Sequence, residues 1–267
     1  MARRSLEHRR VLITGASSGI GRELALAFAR RGSRPFLAAR RDHELHSVAE
    51  ECRQLGADAD YLAGDVTDPA YREALLAGVA ERWGGLDILV NNAGVSAHGL
   101  FADADESTLR RIIEVNFFAA AELTRHALPL LKAGERPAIV NIGSIIGHRG
   151  LPLNSEYAAS KFALRGWSEA IRAELTADGV DVLLVSPGTT ETEFFNHLVA
   201  KDAVLPWGDS AAIPAAVVAE QTVRALERGR HEIFPNWRGR ALVYANRLAP
   251  GLIDRIVAKL ASSRQDG

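Results

Sequence analysis

Two side chains that could exchange a proton, those of Tyr157 and Lys161, are four positions apart in a segment of helical periodicity. At this spacing both lie on one face of a helix and point into the same space. A phenol has a pKa of about 10 in water and is a poor acid or base near neutral pH, but a neighbouring ammonium group favours the phenolate and lowers that pKa. The pair therefore predicts that Tyr157 acts as a general acid and base. The same spacing also fits a surface tyrosine beside a solvated lysine.

A hydroxyl group at Ser144 is the third candidate. Ser144 follows Ala138-Ile142, a short apolar segment that predicts a buried strand. Ligands of open α/β sheets bind at the carboxyl ends of the strands, so Ser144 is expected to hold a substrate oxygen beside Tyr157. The neighbouring Gly143 and Gly147 also fit a serine that only shapes a loop. The G-x-S-x-G pattern of hydrolases is missing here, which argues against a serine nucleophile.

A glycine-rich turn, T-G-A-S-S-G-I-G at Thr14-Gly21, lies between a predicted strand and a predicted helix. Gly15 permits a tight turn, Gly19 lets a pyrophosphate approach, and Gly21 lets the helix pack closely against the strand. The helix N-terminus offers free N–H groups and the positive end of the helix dipole. The turn therefore predicts a dinucleotide phosphate site. Its G-x-x-x-G-x-G spacing departs from G-x-G-x-x-G, and a turn without a ligand is the alternative.

The residue after the second predicted strand bears on which dinucleotide is preferred. A carboxylate there binds the 2′-hydroxyl of the adenosine ribose, whereas an arginine accommodates a 2′-phosphate. Arg40 occupies this place, and Ser17 in the glycine turn could add a hydroxyl. We therefore expect NADP(H) to be preferred over NAD(H). Arg40 and Arg41 also fit a solvated pair, and Asp42 is close enough to offer a carboxylate to NAD.

The elements that must position these residues follow from the hydrophobic pattern, in which short apolar runs alternate with helical segments. The predicted strands are Arg10-Thr14, Phe36-Ala39, Asp60-Ala63, Ile88-Asn91, Ala138-Ile142, Val182-Val185 and Glu232-Phe234. The predicted helices are Gly19-Arg31, Glu44-Leu55, Pro69-Trp83, Glu106-Leu131, Ser155-Asp178, Ser210-Arg228 and Arg240-Leu260. This pattern predicts an α/β protein with a doubly wound Rossmann-type fold, about seven mainly parallel strands and helices on both faces.

One domain is expected for residues 1–267, because no low-complexity linker, repeat or change of composition divides the chain. The long connection 189–208 is expected to form a substrate lid. Its apolar residues predict an apolar substrate, although they could instead close the core. They are Phe194, Phe195, Leu198, Val199 and Trp207.

Composition excludes several other classes of protein. The 32 basic and 33 acidic residues give a formal net charge of -1, so no nucleic acid partner is expected. Cys52 is the only cysteine and no apolar leader is recognised, which favours a cytoplasmic protein. The 8 histidines are scattered, and no metal site is expected.

The last predicted helix has an apolar side that favours a core or subunit-interface role over attachment to a membrane surface. This side carries Leu248, Leu252, Ile253, Ile256, Val257 and Leu260.

The glycine-rich turn at Thr14-Gly21 and the tetrapeptide Asn91-Asn92-Ala93-Gly94 together resemble the short-chain dehydrogenase/reductase family. The resemblance covers most of the chain and is most specific up to Gly188. It continues, in the family's order and at about its spacings, through Asn116, Ser144, Tyr157, Lys161 and Pro187-Gly188. It implies an oxidoreductase that moves hydride between a nicotinamide and a carbonyl compound or secondary alcohol, assembled as a homodimer or homotetramer.

Residue by residue, the resemblance implies catalytic roles for Asn116, Ser144, Tyr157 and Lys161. It implies cofactor contacts at Gly15, Ser17, Ser18, Gly19, Ile20, Gly21, Arg40, Asp65, Val66, Asn92, Ala93, Gly94, Tyr157, Lys161, Pro187, Gly188, Thr190 and Thr192. Asp65 is expected to cap the adenine, although it could instead begin the next helix. Asn116 is expected to hold a water linked to Lys161 through a local break in its helix, or else to satisfy backbone at a helix interface. Thr190 departs from the family pattern, which more often has an aliphatic residue at this place.

Two other activities stay open at this point. A 3-oxoacyl-thioester reductase would use the same residues, and a non-catalytic NADP(H)-binding regulator would keep the glycine turn without needing Tyr157 and Lys161. An enoyl reductase is disfavoured, because the family's enoyl reductases have a longer interval between the tyrosine and the lysine.

Overall fold

The computed structural model describes residues 4–196, 198–201, 203 and 212–262. Its strands are β1 (Arg10–Thr14), β2 (Arg34–Ala39), β3 (Asp60–Ala63), β4 (Ile88–Asn91), β5 (Ala138–Ile142), β6 (Asp181–Val185), β7 (Thr190–Glu191), β8 (Ile213–Pro214) and β9 (Glu232–Ile233). Seven of them form one sheet in the order β3-β2-β1-β4-β5-β6-β9, with every pairing parallel. The short strands β7 and β8 pair separately.

Helices cover both faces of this sheet. They are α1 (Gly19–Ala29), α2 (Asp42–Gln54), α3 (Pro69–Trp83), α4 (Glu106–Ile113), α5 (Ala119–Lys132), α6 (Ser155–Glu174), α7 (Ala215–Glu227), α8 (Trp237–Leu248) and α9 (Pro250–Ser262). In β1, Val11 and Ile13 pack into a core with α1, α2 and α7, while Leu12 between them packs into a second core with α3 and α5. Because side chains alternate along a strand, an apolar strand of this kind must be covered on both sides. The predicted doubly wound fold is confirmed.

The strand order reverses between β1 and β4, since β2 and β3 lie on one side of β1 and β4 lies on the other. Crevices at the carboxyl ends of strands beside such a reversal are where open α/β sheets bind ligands. The glycine turn follows β1 and the Asn91-Asn92-Ala93-Gly94 segment begins at the end of β4, so the topology brings both motifs to this point.

Two helices predicted as continuous are interrupted in the structure. The segment Glu114–Phe118, between α4 and α5, is a π-helix. The C-terminal helix starts earlier than expected, at Trp237, and is broken between α8 and α9 by Pro250, which lacks an N–H group and clashes with the preceding turn. At its C-terminus α6 stops at Glu174, short of the predicted Asp178. The predicted start of α7 at Ser210 lies outside the described residues.

The break at Pro250 also changes the expected apolar side of the last helix. Ile253 and Val257 are buried, but Leu248 is 86% exposed and Leu252 and Ile256 are also exposed. This side is therefore not a core face as a whole. The side chain of Leu260 lies outside the described residues. No helix in the described part of the chain has the length and apolar character to span a membrane.

Candidate active site

A cavity of about 660 Å³ opens at the carboxyl ends of the central strands and runs from the glycine turn to Tyr157. The sequence-predicted residues on its wall include Gly19, Asp65, Asn92, Ser144, Tyr157 and Lys161. The fold therefore brings both ends of the predicted site into one continuous space.

The glycine turn has the geometry that its sequence predicts. Gly15 and Gly19 adopt φ values of +65° and +53°, a region that favours glycine. A methyl group on Gly21 would lie 2.2 Å from the carbonyl oxygen of Gly15, so a side chain there has no room. Ser18, the N-cap residue of α1, makes no capping hydrogen bond with its side chain, and the first turn of α1 carries no acidic residue. The N-terminus of α1 is thus suited to an anion.

Asn91, the last residue of β4, and Asn92, which follows it, both bind neighbouring segments of the fold. Asn92 Nδ2 donates to the carbonyl oxygens of Thr14 and Gly15 at 2.9 and 3.0 Å. Asn91 is buried, and its Nδ2 donates to Thr124 Oγ1 and Asn141 Oδ1 at 2.9 and 2.8 Å. The Asn92 bonds hold the glycine turn against the end of β4, the Asn91 bonds join β4 to α5 and β5, and Asn92, Ala93 and Gly94 line the cavity.

At the end of β2 the structure adds a residue that sequence reasoning treated only as part of a solvated pair. Arg41, not Arg40, reaches the glycine turn, donating from Nε and Nη2 to Ser17 Oγ at 3.3 and 3.2 Å. Arg41 Nη1 also lies 3.3 Å from a carboxylate oxygen of Glu193. Arg40 is exposed at the rim and lines the same cavity. Two guanidinium groups are therefore available where one was expected.

Asp65 lies at the same end of the cavity and is already engaged. Its Oδ1 accepts from Thr67 N and Oγ1 at 3.0 and 2.8 Å, and its Oδ2 accepts from Arg111 at 2.9 Å. Burial alone would raise the pKa of Asp65, but these hydrogen bonds outweigh burial and lower it to about 2. The cap of α3 is Asp68, not Asp65. Val66 also lines the cavity, as does Arg111 of α4, which the sequence offered no signal to find.

At the other end, Tyr157, Ser144 and Lys161 converge. The phenol of Tyr157 hydrogen-bonds with Ser144. Lys161 Nζ lies 5.6 Å from the centroid of the Tyr157 ring and donates to the carbonyl oxygen of Ile142 at 2.9 Å. The aromatic ring of Phe194 lies 5.9 Å from that of Tyr157, between centroids. The predicted acid–base pair thus shares one face of α6 beside the predicted hydroxyl.

Burial dominates the electrostatics of this group. It raises the pKa of Tyr157 to about 12, an effect that the Ser144 hydrogen bond only partly offsets. Burial lowers the pKa of Lys161 to about 8, so the amine stays mainly protonated at pH 7. The predicted fall of the Tyr157 pKa is therefore wrong for the protein by itself, because burial of the phenol raises its pKa even with Lys161 nearby.

Asn116 occupies the π-helical segment, so the expected local break in the helix is present. Its side chain binds backbone: Oδ1 accepts from Val95 N at 2.8 Å, and Nδ2 donates to Val95 O at 2.9 Å. Nδ2 also donates to Ser160 Oγ at 2.9 Å. The amide is thus used at a helix interface, as in the structural alternative, and it connects β4's loop to α6 one residue before Lys161.

The segment after β6 completes the cavity wall. Pro187 O accepts from Ile145 N at 2.9 Å, and Gly188 lies on the cavity surface. Thr190 is buried in β7 and donates to Gly188 O at 3.0 Å. A methyl group on Gly19 would lie 3.0 Å from Cγ2 of Thr192, so Thr192 covers the glycine turn.

Only part of the expected lid is described. Phe194, Leu198 and Val199 are present, and the first two line the cavity. The side chain of Phe195 and the whole of Trp207 lie outside the described residues.

Besides Arg111, three smaller polar side chains on the cavity wall have no signal in the sequence. They are Ser96 and His98, in the loop after β4, and Asn154, at the start of α6. Burial, with a smaller contribution from Lys201, lowers the pKa of His98, so its imidazole is neutral at pH 7. No motif marks these residues, because their common location arises only when two distant loops meet.

The wall as a whole fits a nicotinamide dinucleotide. A side chain at Gly15 or Gly21 would collide with neighbouring backbone or with Asn92, so glycine lets α1 and the loop after β4 pack closely against the turn, and Gly15 and Gly19 line the cavity beside the N-terminus of α1. A methyl group on Gly94 would lie 3.7 Å from Lys161 Nζ, so glycine keeps open the space next to that amine. The cavity thus extends from the N-terminus of α1 past Gly94 to the acid–base group.

The sequence of the chain is similar to those of known proteins. The family model of the short chain dehydrogenases matches residues 9–203. The 11-beta-hydroxysteroid dehydrogenase-like protein 4A of Arabidopsis thaliana is 37% identical over 248 residues, which are 91% of this chain and 81% of that protein.

Two solved structures share the fold. An alcohol dehydrogenase from the archaeon Thermococcus sibiricus, complexed with 5-hydroxy-NADP, is 27% identical with a TM-score of 0.76, over 85% of this chain and 95% of its own. A short chain dehydrogenase/reductase from Burkholderia phymatum, in complex with NAD, is 25% identical with a TM-score of 0.85, over 93% of this chain and 96% of its own. This chain therefore belongs to the short-chain dehydrogenase/reductase family, whose members are oxidoreductases that use a nicotinamide cofactor.

Proposed function

We propose that this protein is an NADP(H)-dependent oxidoreductase that interconverts a carbonyl compound and a secondary alcohol. The observation that carries the proposal is the convergence of Tyr157, Ser144 and Lys161 on the cavity that also contains the glycine turn. An apolar body for the substrate is supported by Leu151, Ile146 and Phe194 on the cavity wall. The whole chain acts as one catalytic unit, with 189–208 as its lid.

The glycine turn, with Ser18 and Ile20, would hold the pyrophosphate at the N-terminus of α1. Asp65 and Val66 would contact the adenine, and Thr192 the pyrophosphate. A bound nicotinamide supplies or accepts the hydride. Pro187, Gly188 and Thr190 would line its ring pocket; this assignment is carried by the family resemblance and by their place on the cavity wall.

The protein's own residues handle the proton. Ser144 hydrogen-bonds the substrate oxygen and aligns it with Tyr157. In reduction, the phenol of Tyr157 donates its proton to that oxygen; in oxidation, Tyr157 takes the proton from the alcohol. The ammonium group of Lys161 stabilises the phenolate that results, and Ile142 O holds this ammonium in place at 2.9 Å. Asn116 and its π-helical segment keep the loop after β4 against α6 beside Lys161.

The preference for NADP(H) is supported by two arginines at the ribose end. Arg41 is held 3.2 Å from Ser17 Oγ, and Arg40 lines the same rim. We expect Arg40→Ala and Arg41→Ala each to weaken NADPH binding at least about tenfold and NADH binding much less, because a charged hydrogen bond contributes roughly 1.5–3 kcal/mol. Dissociation constants for both cofactors test this, with Arg110→Ala, which removes an exposed partner of Glu106, as the matched control. Equal losses for the two cofactors would argue against phosphate recognition.

Following the absorbance of NADPH and NADH with aldehydes, ketones and 3-oxoacyl thioesters tests the activity itself. We expect Tyr157→Phe to lower kcat by at least about 10²-fold while NADPH still binds, since general acid–base catalysis contributes roughly that much or more. A higher kcat/KM with thioesters than with simple ketones would assign the 3-oxoacyl-thioester activity. Tight NADPH binding without turnover of any substrate would instead favour a regulator.

Assembly as a homodimer or homotetramer is part of the proposal. Leu109, Phe118 and Phe162 are 40%, 48% and 43% exposed on the helices that follow β4 and β5. Exposed large apolar side chains on neighbouring helices are typical of subunit interfaces. A cytoplasmic location stays a prediction from the sequence.

A further inference from the structure

Asn154 has a buried amide that the fold itself leaves largely unused. The residue is 1% exposed and lies on the wall of the cavity, at the N-cap of α6. An asparagine at this position ordinarily accepts a hydrogen bond from the first turn of the helix. Here the side chain makes no such bond. The start of α6 is served by the main chain instead, because Asn154 O accepts from Ala158 N at 2.8 Å.

One polar atom of this amide has no hydrogen-bond partner. Asn154 Nδ2 is buried and unbonded among the residues that the structure describes, while Oδ1 accepts from Ser96 Oγ over a long 3.4 Å. Turning the amide exchanges its two atoms and still leaves one of them unbonded. A buried polar group without a partner is unfavourable, so the amide is suited to a hydrogen-bonding ligand in the cavity.

The backbone beside Asn154 is held in an unfavourable conformation. Leu153 has φ of +62°, in a region that a bulky side chain rarely adopts. Leu153 O accepts from Gly99 N at 3.1 Å, which joins this loop to the one that carries Ser96. Strained backbone of this kind collects at binding sites, where it fixes the direction of a side chain. Here the strained residue directly precedes Asn154, whose side-chain amide makes no hydrogen bond to its own helix.

Asn154 is the N-cap of α6, Tyr157 follows it by three residues in the first turn, and both residues line the same cavity. A ligand that bonds Asn154 while its carbonyl oxygen contacts Tyr157 must carry the second polar atom close to the first. We propose that Asn154, supported by Ser96, recognises a second oxygen on the α or β carbon of the substrate, so that the substrate class is hydroxyketones, diketones and 3-oxo esters. This inference rests on the proposed function and narrows its substrate.

Matched ketones test the inference. 2-Hydroxyacetophenone and propiophenone differ by a hydroxyl in place of a methyl group, and ethyl benzoylacetate and hexanophenone differ mainly by a second carbonyl. We expect kcat/KM with NADPH to favour the oxygenated member of at least one pair by tenfold or more. Asn154→Leu preserves the size of the side chain and removes its hydrogen bonds, so we expect it to lower this ratio at least tenfold.

Two controls separate recognition from folding. Asn246→Leu alters an asparagine that accepts from Arg149 away from the cavity, so the substrate ratio should stay as in the wild type. If Asn154→Leu does not fold, Ser96→Ala replaces it and should lower the ratio severalfold, because the serine orients the amide. Inhibition constants for 1-phenyl-1,2-ethanediol and 1-phenyl-1-propanol measure the same preference in binding. We expect Asn154→Leu to weaken inhibition by the diol and to leave inhibition by 1-phenyl-1-propanol unchanged.

Each remaining outcome has a distinct meaning. Wild-type turnover without preference in either pair overturns the inference and leaves the proposed function standing. Equal losses for both members of a pair in the Asn154 variant, or an unchanged ratio in the Ser96 variant, overturn it as well. Absence of turnover with every ketone at saturating NADPH defeats the proposed function, and the inference with it.

Discussion

At the scale of single residues, the site depends on a cation placed where water is largely excluded. Lys161 is 4% exposed and hydrogen-bonds one carbonyl oxygen, that of Ile142. Holding an ammonium there costs free energy, and the cost appears as a pKa lowered to about 8. The same charge is what would stabilise a Tyr157 phenolate. Lys161 thus lowers the free energy of unfolding, while its charge serves the proposed proton transfer by Tyr157.

Lys161→Met should therefore raise the free energy of unfolding while abolishing turnover. We expect a gain of about 1–3 kcal/mol at pH 7, because a buried charge is replaced by an apolar side chain of similar length. Between pH 8 and 10.5 the unfolded chain binds this proton while the folded protein does not, so wild-type stability rises with pH relative to the variant. Urea unfolding should show that the difference in free energy of unfolding between the variant and the wild type is about 2 kcal/mol smaller at pH 9.5 than at pH 7. A variant less stable than the wild type at pH 7 would contradict this account.

At the scale of elements, the glycine turn joins β1 to α1 by an approach too close for any side chain. A methyl group on Gly21 would lie 2.2 Å from Gly15 O and 2.5 Å from Asn92 Nδ2. Glycine is thus required at position 21 because the turn contacts the loop after β4, which is distant in sequence. The conformational freedom of glycine is only part of the reason that glycine occurs in this turn.

Gly21→Ala should push α1 away from β1 and the loop after β4. We expect a loss of about 1–3 kcal/mol in the free energy of unfolding, as in other overpacked sites, together with at least tenfold weaker NADPH binding. Gly166→Ala is the matched control, because Gly166 also lies inside a helix but has no atom within 4 Å of an added methyl group. That variant should gain about 0.5–1 kcal/mol from its higher helix propensity. Thermal unfolding and cofactor titration of both variants make the comparison.

At the scale of the whole molecule, the pH dependence of stability has a contribution from His148, which links the loop after β5 to β6 and β9. Its Nε2 is 2.9 Å from Ser186 Oγ and 3.4 Å from Glu232 Oε1, and its ring lies 5.1 Å from that of Phe234. Burial, followed by the charges of Arg165 and Arg247, lowers the pKa of His148 to about 4. Folding therefore keeps this imidazole neutral in a range where the unfolded chain protonates it.

The stability that depends on neutral His148 is fully present above pH 6.5 and is lost as the pH falls toward 4. We expect the wild type to lose about 2–3 kcal/mol more than His148→Gln between pH 7 and pH 4.5, since the other titrating groups are common to both proteins. Urea unfolding at the two pH values measures the difference. Equal losses of stability in the two proteins would contradict the lowered pKa of His148.

Association of subunits is the second property at this scale. Phe118→Glu places a charge on the helical face proposed as the interface, where Phe118 is 48% exposed, so we expect light scattering to show a smaller assembly. Phe101→Glu is the control, since Phe101 is 78% exposed in a short 3-10 helix that precedes α4 and is not part of the helices proposed to form the interface. Unchanged mass in the Phe118 variant would mean that subunits meet elsewhere.

The strands, the order of elements and the position of the glycine turn were predictable from sequence. Each of these depends on neighbours along the chain: apolar runs for β1 to β6, glycines at fixed spacing for the turn, and helical period for Tyr157 and Lys161. The hydrophobic pattern missed the breaks at Glu114–Phe118 and Pro250 because apolar periodicity continues through them, and only the family resemblance indicated the first of them, at Asn116. Hydrophobic pattern reports which side of an element is apolar, and it is insensitive to a single lost hydrogen bond in the helix.

The amino-acid sequence by itself determined the family of the chain and the chemical types in its site, because these reside in short motifs and in periodicities of a few residues. Only the tertiary structure decided that Arg41 is the arginine that reaches Ser17, that Arg111 holds Asp65, and that Asn154, on the cavity wall, has a buried amide nitrogen without a hydrogen-bond partner among the described residues. It also decided the pKa values of Tyr157 and Lys161. The physical reason is that burial, charge and hydrogen-bond partners are set by segments far apart in the chain, which the sequence lists without bringing together.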